Sequence, residues 1–193
     1  MRWDRVAAFL TGCWILGSLF MLFVATRNFA TADRISADPP HAAAQMFQTI
    51  GPENAHLLLR YMAGEQNRLF FVTWEFAQVA MGVALTAILL FALRNRLLAG
   101  LAGALWIVVL FERLRVTPEM IAIGRLMDFG VDAGPAVYNQ FWRLHGLYGV
   151  LELVKLALAT VVAILLFVKN KKGDENVPLV RDEYASELTT SQD

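Results

Sequence analysis

Residues Leu69 to Phe111 read LFFVTWEFAQVAMGVALTAILLFALRNRLLAGLAGALWIVVLF, two apolar runs joined by the charged turn Arg94-Asn95-Arg96. A helix rises 1.5 Å per residue, so about 20 apolar residues cross the ~30 Å hydrocarbon of a bilayer. So short a turn makes the two helices antiparallel neighbours. The second run, Leu97–Phe111, is too short to cross upright and is expected to continue as helix through Glu112-Arg113 toward Val116. Two further apolar runs, Val6–Thr26 and Leu144–Val168, lie on either side. The reading is an all-α integral membrane protein, a bundle of four transmembrane helices with short surface helices. Its spans fall at about 6–26, 69–93, 97–116 and 141–168, within one domain of residues 1–172 followed by a polar tail, 173–193.

Composition agrees. Hydrophobic residues make up 57% of the 193 residues and charged ones only 18%, against about a quarter charged in soluble domains. The formal net charge is zero, so nothing points to nucleic acid as a partner. The single cysteine, Cys13, excludes an internal disulfide framework and a cysteine-based metal cluster, and no metal site is predicted. Met-Arg-Trp-Asp-Arg before an apolar run, with Ala30-Thr31-Ala32 after it, resembles a signal peptide, but the run exceeds the 7–15 residues of a signal h-region and reads as a retained anchor. Leu10-Thr11-Gly12-Cys13 spells a lipobox whose preceding apolar stretch is too short.

The long connection 28–68 contains helical signals. Asp38-Pro39-Pro40 reads as an N-cap and first turn, and Gly51 as a C-terminal stop, giving a short helix His41–Ile50. Pro52-Glu53 restarts a helix whose apolar side (Leu57, Leu58, Tyr61, Met62) suits a membrane surface or the top of the bundle, with a bend at Gly64 before the second span. Thr117-Pro118-Glu119 reads as a new helix start, running to about Phe129, and Pro135 as the start of the last helix. Arg2, Arg5, Arg94, Arg96, Lys169, Lys171 and Lys172 on one side equal in number Arg27, Arg34, Arg60, Arg68, Arg113, Arg115 and Arg125 on the other, where acids offset them; the Arg94–Arg96 turn and the Lys169–Lys172 end are compact and juxtamembrane, so both termini are assigned to the cytoplasm of a multi-pass cell-membrane protein.

Charged residues inside spans are costly and face protein or water. Counted from the cytoplasmic helix ends, Glu75, Glu112, Glu152 and Lys155 lie at ~28, ~24, ~25 and ~21 Å, just inside the outer boundary. Gln78 and Arg113 join them, with His145 at the outer interface. Glu75, Gln78, Gly82 and Thr86 form one helical stripe; His145, Tyr148, Glu152, Lys155 and Ala159 form another. Glu75, Gln78, Glu112, Arg113, His145, Tyr148, Glu152 and Lys155 are therefore the candidate intramembrane polar pocket. It is either a site for a headgroup, quinone, ion or proton, or a structural ion-pair network. Small residues (Ala99, Gly100, Gly103 and Ala104; Ala8, Gly12, Gly17 and Ser18) would let helices approach closely.

A membrane haem b would want two facing axial ligands, and only His145 is near a span, with His56 and His41 more remote. No cofactor is predicted; haem b and quinone stand as minor readings. Trp3, Trp74 and Trp142 fit interfacial anchors. Trp14, Trp106 and Cys13 fit packing positions.

Val116-Thr117-Pro118, and Phe141-Trp142-Arg143-Leu144-His145-Gly146 opening the last span, carry a family resemblance, as do Trp14-Ile15-Leu16-Gly17-Ser18-Leu19-Phe20 and Phe29. In layout, residues 6–168 resemble the transmembrane-protein-205-like family. This chain departs from it in carrying Glu152 and Lys155 after the histidine and in its long first connection. The resemblance implies a four-helix membrane protein and no particular reaction.

No nucleophile–base set or phosphate loop is present, so catalytic residues are assigned to none. The expected role is a non-enzymatic accessory or scaffold component, working with the lipid bilayer and with other membrane subunits or copies of itself. The alternative is a binding or transport protein for a quinone, lipid or ion; an enzyme acting on lipid is the third reading.

Overall fold

In the computed structural model, which describes residues 3–175 and side chains as far as Val168, α1 runs unbroken from Trp3 to Ala37. Thirty-five residues make a helix of about 50 Å, well beyond the hydrocarbon thickness. α2 is His41–Ile50, and α3 spans Pro52–Ala87, followed by a π-helical turn at Ile88–Ala92. α4 is Arg96–Phe111, a second π turn covers Glu112–Val116, and α5 is Thr117–Arg125. A 3₁₀ turn at Asp128–Gly130 leads to α6, Gly134–Glu175. Four helical stretches are long and apolar enough to cross a membrane: Trp3–Ala37, Pro52–Ala92, Arg96–Gly130 and Gly134–Val168.

The four form an up–down ring in which α1 packs on α3, α3 on α4, α4 on α6 and α6 on α1. α3 and α6 therefore face each other across the centre. At the terminal end of the bundle the interior is apolar: Ala7, Leu85, Leu89, Leu98, Ala102, Val162 and Leu166. Above it lie Trp14, Leu105, Val109 and Ala159. Large apolar side chains such as Phe9, Leu22, Phe91, Leu97, Leu153 and Phe167 point outward, as expected where the surrounding solvent is hydrocarbon.

Several local expectations are confirmed. α2 occupies His41–Ile50 and stops at Gly51, whose φ of 89° is open to glycine. Arg94, at φ 49°, makes the sharp turn between α3 and α4, and the Asn95 side chain accepts from the Leu98 amide at 3.1 Å. The third span does continue through Glu112 and Arg113.

Others are corrected. Residues 28–68 are not a connection laid over the bundle, because α1 and α3 simply extend past the apolar runs and pack on each other. Gly64 makes no bend, since the helix runs through it. Asp38 does not cap α2; Pro40 takes that position without a side-chain bond. Thr117 is not an N-cap, having helical φ/ψ of −64° and −45°. Pro118 lacks an N–H and would clash with the carbonyl four residues back in a regular helix. The π turn before it widens the helix there instead of ending it, and Glu112, Val116 and Thr117 all become buried. The last helix reaches Glu175, beyond the lysine cluster; most of the tail 173–193 lies outside the described residues.

The small-residue faces also differ from expectation. Gly12, Gly100 and Gly103 have open space where a Cβ would stand, and the inward face of α1 is Ala7, Thr11, Trp14 and Ser18. Close approach occurs at Gly17, against the Trp74 ring, and at Gly82, against Trp106. Trp74 is thus a packing residue and not an interfacial anchor, whereas Trp3 and Trp142 are exposed.

At Gly82 a methyl group would overlap the Trp106 Cβ, an atom fixed to the backbone that cannot swing aside. Gly82→Ala is predicted to destabilise the bundle by about 1–3 kcal/mol through overpacking. Gly12→Ala, in open space inside a helix, should stabilise it by up to about 1 kcal/mol through alanine's better helix propensity. Reversible unfolding in mixed micelles, followed by circular dichroism, compares the two. Equal effects would refute the close α3–α4 contact.

Candidate functional site: a buried polar layer

Above the apolar interior, each spanning stretch contributes a polar side chain at one level. α3 supplies Glu75 and Gln78, one helical turn apart; α1 supplies Ser18; the π turn after α4 supplies Glu112 and Arg113; α6 supplies Tyr148, Glu152 and Lys155. Glu75, Gln78, Glu112 and Lys155 are fully buried. Buried charge is tolerated only with compensating partners, and Lys155 has three. The Lys155 ammonium donates to the Glu112 carboxylate, to Glu152 Oε1 at 2.8 Å and to Gln78 Oε1 at 3.2 Å. The Gln78 amide passes the chain on to Ser18 Oγ at 3.2 Å. Lys155 thereby links α6 to α4 beside it and to α3 across the ring.

Glu75 is held differently. The Thr117 hydroxyl donates to its Oε1, and Arg113 Nε lies 4.0 Å from Oε2, close enough for charge attraction but not for a hydrogen bond. The Arg113 guanidinium itself sits over the Phe76 ring, 4.3 Å from its centre, where cation–π attraction holds it. Among the described residues, Glu75 Oε2, Glu112 Oε1 and the Tyr148 hydroxyl, all buried, have no hydrogen-bond partner. The Tyr148 ring borders the layer, with Lys155 Nζ 5.7 Å from its centre and Phe71 edge-on at 5.5 Å.

Seven of the eight candidate residues therefore gather at this level. His145 does not join them: it is exposed, stacked on Phe141 at 5.9 Å and edge-on to Trp142 at 5.4 Å. One further turn up α6 from Tyr148, its side chain leaves the interior. Two members of the layer are not evident from sequence. Ser18 reads there only as a small residue. Thr117 reads as a helix cap, and the π turn that carries its hydroxyl inward has no sequence signature beyond Pro118.

Toward the end away from the termini, polar ties continue. Asn28 donates to Asn67 at 2.6 Å and Asn67 to the Ala25 carbonyl at 3.1 Å, joining α1 to α3. Arg68 grips Asp128 through two bonds of 2.8 and 3.0 Å and also reaches Glu65 at 2.6 Å. Phe129, at φ 59°, stacks on Tyr61 with ring centres 4.5 Å apart, which fastens the turn before α6 onto α3. Beyond the apolar part of α1, Asp33 accepts from Arg60 at 2.7 Å and pairs with His56 at 3.1 Å. A surface cleft of about 490 Å³, lined by Glu119, Asn139, Gln140, Arg143, Leu144 and Leu147, opens between α5 and α6. Among the described residues, no group of three His, Cys, Asp or Glu is placed to hold a metal ion.

The chain is thus an all-α bundle with four helices suited to a membrane and an ion-pair layer inside it. Comparison with protein-family models, curated proteins and solved structures gave no match.

Removing one partner of a buried ion pair strands the other. Lys155→Met is predicted to destabilise the bundle by about 3–5 kcal/mol. Adding Glu112→Gln should cost less than it does in the wild type, because the bond that the two side chains share is already gone. A double-mutant cycle in the same unfolding assay measures the coupling; strictly additive effects would show that the two side chains do not share one interaction.

Proposed function

We propose that the protein is a non-enzymatic accessory or scaffold component of the cell membrane, multi-pass with both termini cytoplasmic, that packs against other membrane subunits or copies of itself. The observation that carries this reading is the direction of its polar groups. All three Lys155 protons have acceptors inside the bundle, and Gln78 and Glu75 bond to Ser18 and Thr117. The layer works as an internal tie that holds four helices in one arrangement. The outward surface is apolar and carries glycines with open space, Gly100 and Gly103 on α4 and Gly146 and Gly149 on α6. Such positions let a neighbouring helix approach closely in lipid. The compact, juxtamembrane Arg94-Asn95-Arg96 turn supports the cytoplasmic assignment of its end, while acids offset the arginines of the other end.

Native mass spectrometry of the protein extracted from membranes in mild detergent tests the reading. An oligomer or a stoichiometric complex is expected. Gly100→Leu/Gly103→Leu or Gly146→Leu/Gly149→Leu should abolish it without changing the unfolding midpoint. A solitary monomer under the same conditions overturns the proposal.

A second reading, binding of an ion or proton, is favoured by one observation: the unpartnered carboxylate oxygens and tyrosine hydroxyl within the layer.

A further inference from the structure

Charge balance in the layer leads beyond a static tie. The ionisable groups that face it are Glu75 from α3, Glu112 and Arg113 from the π turn after α4, and Glu152, Lys155 and Tyr148 from α6. α1 faces it with Ser18 and α5 with Thr117, neither of which carries charge. Three carboxyls thus meet two cations. With every acid ionised and Tyr148 neutral, the layer holds one uncompensated negative charge. At bilayer depth that charge is expensive, and buried groups neutralise instead of bearing it.

The hydrogen-bond pattern independently marks where a positive charge is missing. Lys155 has all three protons engaged, and Thr117 has used its own on Glu75. Two carboxylate oxygens, Glu75 Oε2 and Glu112 Oε1, have no donor. The Tyr148 residue, 5% exposed, borders the same level with its hydroxyl also unpartnered.

We propose that the polar layer is a binding site for one exchangeable proton, held on Glu112 Oε1. Pairing excludes Glu75, and burial then selects Glu112 over Glu152. With Glu112 neutral, Lys155 balances Glu152 and Arg113 balances Glu75, leaving two matched ion pairs. Glu112 Oε2 still accepts from Lys155, and the added hydrogen falls on the oxygen without a partner. Neutralising Glu75 would leave Lys155 between two carboxylates and Arg113 without its own. Glu152 shares the same ammonium and is 22% exposed, against 0% for Glu112. It is the member through which the proton reaches the outside of the bundle. In the exchange, Glu112 passes from carboxylic acid to carboxylate, Lys155 stays an ammonium, and the layer moves between neutral and one negative charge. This goes beyond the association role and rests on the side chains of the layer alone.

Infrared spectroscopy of the purified full chain in lipid nanodiscs tests the proposal. Ordinary carboxyls ionise near pH 4, so at neutral pH only a retained proton gives a carboxylic-acid C=O stretch. The wild type is expected to show that band and to lose it reversibly as the pH is raised, with helical content unchanged. Glu112→Gln, an isosteric change, should remove it. Absence of the band in the wild type at neutral pH overturns the proposal without reference to any variant, as would be the case if a metal cation balanced the charge. A folded Glu112→Gln protein that retains the band overturns it too. Neither result bears on whether the protein associates with partners.

Discussion

A lysine ammonium at the centre of the bundle sets the arrangement of everything around it. Lys155 is fully buried and bonds to Glu112 on the neighbouring stretch, to Glu152 on its own helix and to Gln78 across the ring. An unpaired charge there would be prohibitive. The three acceptors must therefore stand level, which fixes the vertical register of α3, α4 and α6. Ser18, one bond further on, adds α1. Lipid tails are as apolar as leucine and give little drive for one apolar helix face to prefer another. The polar layer supplies the preference that the apolar residues cannot.

The interior below the layer follows from packing. Ala7, Ala99, Ala102 and Ala159 bring backbones close, and Trp14, Leu85, Leu89, Leu98 and Leu105 fill what remains. Gly17 and Gly82 are the places where an indole ring replaces a missing side chain. Above the layer, the projecting ends of α1 and α3 change chemistry. The Asn28–Asn67 pair, the Arg68–Asp128 clamp and the Asp33–Arg60 pair suit a headgroup and water environment, where polar contacts need not carry the fold alone. The two proposals use different parts of the molecule. The outward faces meet lipid or neighbouring helices, and the layer handles charge.

Much of the layer is legible in the amino-acid order. Glu75 and Gln78 share a face by spacing, as do Tyr148, Glu152 and Lys155, and counting along each helix sets Glu75, Glu112, Glu152 and Lys155 at one depth. Charged residues in an apolar run are conspicuous, and their cost allows only an inward direction. The apolar faces are not legible, for the opposite reason. In water an amphipathic stripe reveals the buried side. In a bilayer both sides are apolar, so the inward Ala7–Thr11–Trp14–Ser18 face of α1 cannot be told from the outward Ala8–Gly12 one. Trp74 is ambiguous likewise, since an indole near a span end serves equally as an anchor or as packing. Thr117-Pro118 resembles a helix start because these residues usually are one; only the π turn keeps the helix running and sends the hydroxyl to Glu75.

Four conclusions need nothing beyond the order of residues: the chain is helical, four stretches suit a membrane, the Arg94–Arg96 turn pairs two of them, and a few charged residues must be buried together. Each rests on a local property: hydropathy over a helix length, turn length, or the cost of a charge in hydrocarbon. The folded arrangement alone settles which cation meets which carboxylate, that His145 turns away, that Ser18 and Thr117 complete the layer, and that its acids outnumber its cations by one. Those outcomes depend on the relative rotation and height of four helices. That geometry is set by packing between residues far apart in the chain, and it leaves no periodic trace in any one of them.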